Sequence, residues 1–152
     1  MIRLIISDCD GVLTDGKLYY GAEGEVLKVF NVKDGTAIKA LMSEGVKFGV
    51  VSGRGSAALL RRAEELGLDF CQMNISDKAE AVAALREQYG VAVHETLFVG
   101  DDTNDCVVRS ECGHLYAVND AARALLEICD VQLKTEGGAG VFKEVLKRIH
   151  GN

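Results

Sequence analysis

Leu4-Ile5-Ile6-Ser7-Asp8-Cys9-Asp10-Gly11-Val12-Leu13-Thr14-Asp15-Gly16 opens as a short apolar, β-branched run and then places two carboxylates one residue apart. Read as a strand, it delivers both carboxylates to its carboxyl end. Comparable runs recur at Val46 to Val51, Phe70 to Met73, Thr96 to Val99 and Leu115 to Val118, separated by longer stretches with helical spacing. Val82, Leu85 and Tyr89 fall at i, i+3 and i+7, and Val141, Phe142, Val145, Leu146 and Ile149 form a broad apolar stripe, so both segments are expected to be helices lying on a sheet. Right-handed crossovers between such elements predict an α/β fold with a doubly wound, Rossmann-like parallel sheet. A central first strand gives the expected strand order 3-2-1-4-5.

One segment interrupts this rhythm. Lys17 to Tyr20, the turn Gly21-Ala22-Glu23-Gly24, and Glu25 to Phe30 read as a β-hairpin flap over about residues 17–30. Its second strand is apolar on both faces, Leu27 and Val29 on one and Val26 and Phe30 on the other. An isolated hairpin does not hold such surface in water, so packing against another subunit is expected, with a flap lying on its own domain as the alternative.

The 152 residues, 48% hydrophobic and 26% charged, suit one compact domain over 1–152, with enough chain to bury a core without disulfides or a structural metal. No apolar run is long enough to span a membrane, and Met1-Ile2-Arg3 leads straight into strand-like sequence, unlike a signal peptide, so a cytoplasmic location is expected. The net charge of −6 and scattered basic residues argue against nucleic acid as a partner. Five cysteines without CxxC spacing read as free thiols. His94, His114 and His150 read as ordinary loop or surface residues.

A second acidic cluster, Gly100-Asp101-Asp102-Thr103-Asn104-Asp105, follows the fourth strand at the same sheet edge. Asp8-x-Asp10 alone reads more readily as a solvated turn than as a site. Two acidic loops flanking the point where the strand order reverses read as a ligand site. Four or five converging carboxylates need a cation, and an all-oxygen set favours Mg²⁺, which takes one or two carboxylates together with phosphate oxygens. Ser52-Gly53-Arg54-Gly55 follows the second strand and offers a hydroxyl and backbone N–H groups to an anion, or a plain N-cap. Lys78 opens the helix after the third strand, where the helix dipole opposes a cation, and a local cost of this kind suggests use. Gly137-Gly138-Ala139-Gly140 lacks the preceding strand and ribose-binding acid of a dinucleotide fingerprint, and reads as a flexible loop reaching a neighbouring site.

The succession Asp8-x-Asp10, Ser52, Lys78 and Gly100-Asp101-Asp102-x-x-Asp105, each after a successive strand, resembles the four motifs of the haloacid dehalogenase superfamily. More narrowly, Asp8 to Gly16, Phe30-Asn31-Val32-Lys33-Asp34-Gly35, Ser52-Gly53-Arg54, and Gly137 to Gly140 with Glu144 resemble the small, capless 3-deoxy-D-manno-octulosonate 8-phosphate phosphatases of lipopolysaccharide biosynthesis. Only 42 positions separate Asp10 from Ser52 and 26 separate Ser52 from Lys78, too few for a helical cap domain in either gap.

The resemblance implies a Mg²⁺-dependent phosphatase for a small acidic sugar phosphate. Asp8 would be the nucleophile and Asp10 the acid and base. Ser52, Gly53 and Lys78 would hold the phosphate. The metal ligands would be Asp8, Asp10 through its backbone carbonyl, and Asp101, with Asp102 and Asp105 in the inner or outer sphere. It also implies a homotetramer in which the hairpins form a central barrel and a neighbour's tail segment partly closes the site, with Arg54 and Lys143 touching substrate. The tail departs from the family pattern, since Lys143-Glu144 stands where Arg-Glu is common and Ala139 where a charged residue is often found. Lysine lacks the bidentate fork that grips a carboxylate, so nine-carbon ulosonate 9-phosphates stand as alternative substrates. A non-catalytic tetramerising domain like that of sialic-acid cytidylyltransferases is the rival from another class. A phospho-accepting receiver domain fits less well, because its acceptor follows the third strand.

Overall fold

The computed structural model describes residues 1–151. Eight strands and five helices occur in the order β1 (Leu4–Ser7), β2 (Tyr19–Gly21), β3 (Gly24–Leu27), α1 (Val32–Ser43), β4 (Lys47–Val51), α2 (Ala57–Leu66), β5 (Phe70–Gln72), α3 (Lys78–Tyr89), β6 (Thr96–Gly100), β7 (His114–Ala117), α4 (Arg123–Leu126), β8 (Val131–Gln132) and α5 (Val141–Ile149). A 3₁₀ helix over Thr103–Glu111 links β6 to β7.

The main sheet runs β5-β4-β1-β6-β7-β8, and every neighbouring pair is parallel. The five expected strands stand in the expected order. The addition is β8, a two-residue sixth strand beside β7. Two residues carry no period, so local pattern gives it no signature.

Strand alternation divides the core. Ile5, Phe48, Val50, Leu97 and Val99 pack on one face with α1, α2 and α5, while Leu4, Ile6, Val51 and Phe98 pack on the other with α3 and the 3₁₀ helix. Both predicted apolar faces are used. Val82 and Leu85 of α3 are buried, as are Val141, Phe142 and Val145 of α5, each side chain of this size contributing about 1.5–3 kcal/mol. Phe142 meets Phe48 edge to face at 4.9 Å. Among the described residues no helix is long and apolar enough to cross a membrane.

The hairpin is a separate two-stranded sheet, shorter than the expected 17–30 span. Leu18, Tyr20, Val26, Leu27 and Val29 are exposed, whereas Phe30 turns back onto the core beside the Arg62 guanidinium. The second strand ends at Leu27, and the side chain of Lys28 just beyond it is buried, which the alternating pattern did not foretell. No cap lies between Asp10 and Ser52 among the described residues: hairpin, α1 and β4 fill that interval.

Asp34, in the first turn of α1, joins the two ends of the chain. Its Oδ1 accepts from Phe142 N at 2.8 Å, and its buried Oδ2 has no hydrogen-bond partner among the described residues. Burial pushes this carboxyl up to about 6, against the opposing pull of the Phe142 N–H and Arg62. The folded protein therefore holds a proton that the unfolded chain releases near pH 4. The stability this proton brings is complete below the unfolded pKa and is lost as pH rises through about 6. Relative to Asp34→Asn, the wild-type protein should lose about 1–2 kcal/mol between roughly pH 5 and roughly pH 8 in urea unfolding. A difference that stays flat over that range would contradict the assignment.

Candidate active site

The site follows from strand register. Ser7 lies level with Val50 of β4 and Val99 of β6, so the residues just beyond three adjacent strands, Asp8, Ser52 and Asp101, emerge at one edge. Asp8 N extends the ladder by one bond to Val99 O. The chain then turns sharply as the N–H groups of Val12, Leu13 and Thr14 all reach Cys9 O, and Thr14 Oγ1 accepts from Gly11 N and Gly16 N. Gly11 has φ +87°, and a Cβ there would lie 1.8 Å from Asp101 Oδ2. Only glycine lets the two acidic loops approach this closely.

Asp8, Asp10, Gly16, Ser52, Gly53, Arg54, Lys78, Asp101, Asp102 and Asn104 line one cavity of about 210 Å³. Asp8 is pinned on both oxygens: Oδ1 accepts from Cys9 N at 2.7 Å, and Oδ2 lies 3.1 Å from Lys78 Nζ. Lys78, the first residue of α3 and 3% exposed, also contacts Asp105 Oδ1 at 2.7 Å. Burial works against its ammonium, but Asp8 and Asp105 outweigh burial and hold Lys78 above its ordinary pKa. Two buried carboxylates thus stabilise the cation that the α3 dipole opposes. The other oxygen of Asp105 accepts from Asp101 N and Asp102 N, so this fully buried side chain spans the second acidic loop. Asp102 is exposed and accepts from Thr103 N at the start of the 3₁₀ helix.

The phosphate-loop candidates are stitched to their neighbours. Ser52 N donates to Gln72 O, Ile75 N donates to Ser52 O, and Ser52 Oγ accepts from Arg54 N. Ser56, not Ser52, caps α2 by accepting from Leu59 N, which removes the N-cap reading of Ser52. Arg54 approaches Asp10 Oδ2 and Glu25 Oε2 at 3.9 Å each.

Oxygen atoms of Asp8, Asp101 and Asp105 lie within 4.8 Å of one another. Burial first, then Asp105, pushes Asp8 well above the usual carboxylate range; burial first, then Asp8, does the same to Asp101. Asp101 Oδ1 is buried and has no hydrogen-bond partner among the described residues. An orphaned oxygen beside a second carboxylate, in an all-oxygen setting, fits a hard divalent cation such as Mg²⁺.

Lys143 is not brought to this cavity. It lines a separate groove of about 520 Å³ with Lys33, Lys134, Glu144, Lys147 and Arg148. The glycine-rich segment is also not the loose loop expected. Gly138 N donates to Val12 O, Gly137 N donates to Asp120 Oδ1, and Asn31 Nδ2 donates to Gly138 O. A Cβ on Gly137 would lie 1.9 Å from Gly11 O, so the segment buttresses the first acidic loop of its own chain.

Sequence reasoning missed Lys28 and Glu25. Lys28 Nζ lies 2.7 Å from Asp10 Oδ1 and 3.1 Å from Glu25 Oε2. Burial lowers its pKa, but the hydrogen bonds to Asp10 and Glu25 outweigh that and hold it raised. The available signal was a lysine between Leu27 and Val29 in a segment otherwise apolar on both faces.

Comparison with known proteins agrees with this geometry. Two models of haloacid dehalogenase-like hydrolases match residues 20–108 and 73–145. The chain is 41% identical over 148 residues to the 3-deoxy-D-manno-octulosonate 8-phosphate phosphatase of Haemophilus influenzae, covering 97% of this chain and 82% of that one. The cobalt-bound structure of the Haemophilus influenzae enzyme superposes with a TM-score of 0.95 at 40% identity, over 99% of this chain and 88% of that one. The Moraxella catarrhalis enzyme, solved with magnesium, phosphate and the octulosonate sugar, superposes with a TM-score of 0.94 at 32% identity, over 99% and 86%. The chain belongs to the haloacid dehalogenase-like hydrolases and, within them, to the 3-deoxy-D-manno-octulosonate 8-phosphate phosphatase family.

Proposed function

We propose that this protein hydrolyses the phosphate ester of 3-deoxy-D-manno-octulosonate 8-phosphate through an aspartyl-phosphate on Asp8. The observation that carries this reading is Asp8 itself, its carboxylate fixed by Cys9 N and Lys78 at the floor of a cavity rimmed by Asp10, Ser52 and Asp101. An Asp8 oxygen attacks phosphorus while the bond from phosphorus to the sugar oxygen breaks, and Asp10 gives that oxygen its proton. Asp10 then takes a proton from water, whose oxygen attacks phosphorus and releases Asp8. Ser52, the Gly53 N–H and Lys78 hold the phosphoryl oxygens through both displacements. Asp8, Asp101 and the Asp10 main-chain carbonyl would hold Mg²⁺, which when bound screens the charge between nucleophile and phosphate. Asp105 already has both oxygens engaged and serves to set Lys78, while Asp102 sits at the rim as an outer partner.

Arg54 supports an acid sugar, because a half-exposed guanidinium at the mouth can exchange its long contacts to Asp10 and Glu25 for a substrate carboxylate. Lys143, remote in its own chain, reaches substrate only if a neighbouring copy presents it. The protein acts as one hydrolase domain over residues 1–152 in the cytoplasm. Its exposed hairpin residues Tyr20, Val26 and Val29 are the surface for assembly into a tetramer. Val26→Glu should shift the sedimentation coefficient toward the monomer, because assembly would bury its charge. An unchanged coefficient would remove the hairpin from the interface.

The deciding experiment is phosphate release with Mg²⁺ from the octulosonate 8-phosphate, nine-carbon ulosonate 9-phosphates and hexose phosphates, each with a chelator control. Metal-dependent release strongest from the octulosonate ester is expected. Preference for a nine-carbon ester would move the chain to that branch, and no release by folded protein would favour an assembly role.

A further inference from the structure

Asp10 differs from Asp8 in how its carboxylate is held. Asp8 takes a backbone N–H from the adjoining residue, whereas among the described residues the only hydrogen bond to the Asp10 carboxylate comes from Lys28 Nζ, at 2.7 Å. Lys28 comes from the hairpin, 18 residues along the chain. It lies between two exposed apolar residues, Leu27 and Val29, yet its own side chain is 4% exposed. A lysine that only balanced charge at the rim would keep its ammonium in water, where hydration is strongest. Here the ammonium is drawn out of water and shared between Asp10 Oδ1 and Glu25 Oε2, and Glu25 is itself largely buried. Among the described residues Asp10 Oδ2 has no hydrogen bond, and the Arg54 guanidinium approaches it at 3.9 Å.

The backbone turn after Asp8 fixes the Asp10 main chain but leaves the side-chain torsions open, and acid–base catalysis needs the carboxyl oxygen within hydrogen-bond reach of the moving proton. We infer that Lys28, braced by Glu25, is a positioning residue that locks the Asp10 carboxylate by Oδ1 and leaves Oδ2 to exchange the proton. The hairpin is thus part of the catalytic apparatus as well as an assembly surface. The inference rests on the phosphatase reading.

A double-mutant cycle of Lys28→Met with Asp10→Asn tests it, with the octulosonate 8-phosphate and p-nitrophenyl phosphate as parallel substrates. Lys28→Met should lower kcat about 10- to 100-fold with KM changed less than about threefold, and Lys28→Arg should lose less. In the Asp10→Asn background, adding Lys28→Met should change kcat by less than about twofold, because the group it positions is gone. An equal loss in both backgrounds, or a loss confined to KM, overturns the inference. If Lys28→Met does not fold, Glu25→Gln takes its place in the cycle, with a smaller loss of about 3- to 10-fold and the same requirement of non-additivity. Turnover of the aryl phosphate but not of the octulosonate ester would sink the substrate reading while the aryl cycle still decides Lys28. Turnover of neither by folded protein would overturn both.

Discussion

Asp8→Asn is expected to fold normally and to release phosphate at least about 10⁴-fold more slowly than the wild-type protein. Asparagine keeps the shape of the side chain and can still accept from Cys9 N, and Lys78 keeps Asp105 as its partner. What disappears is the carboxylate oxygen proposed as the nucleophile. Metal-free stability should not fall. Burial and Asp105 raise the Asp8 pKa in the folded state, so its ionised form opposes folding as pH rises through that value. Thermal unfolding should therefore give an equal or higher Tm for the variant near pH 8, with a smaller upward shift on adding Mg²⁺. Metal-dependent turnover retained by Asp8→Asn would end the nucleophile assignment.

Lys78→Met should damage both stability and turnover. The substitution leaves the Asp8 carboxylate 6% exposed and the Asp105 carboxylate fully buried without their shared cation. Breaking a buried ion pair in this way typically costs about 3–5 kcal/mol, read here as a lowered urea midpoint. Turnover should fall by about 10³-fold as well, because the proposed donor to the phosphoryl oxygens is lost. Mg²⁺ should recover part of the stability, by neutralising Asp8, without restoring the rate. A Lys78→Met protein as stable and active as the wild type would leave the lysine an ordinary first-turn residue.

The acidic loops were legible because strand residues run to a common edge. Asp8-x-Asp10 and Asp101 to Asp105 each follow an apolar run, and parallel packing brings the ends of such runs together. Ser52 and Lys78 were legible for the same reason. Lys143 and the glycine segment were harder. Their placement depends on where α5 docks, which the Asp34 to Phe142 bond and the Phe48 to Phe142 contact settle between residues far apart in the chain.

The sequence by itself determined the layered α/β fold and the set of chemical groups at its strand ends, because side-chain period and strand polarity are local properties, while the strand order followed only once the first strand was placed at the centre. Tertiary structure alone decided which of those groups meet. The close approach of Gly11 to Asp101, the burial of Lys78 between two carboxylates and the inward turn of Lys28 onto Asp10 each join separate segments. Such contacts are selected by the balance of desolvation against charge in the assembled fold, and no local pattern encodes that balance.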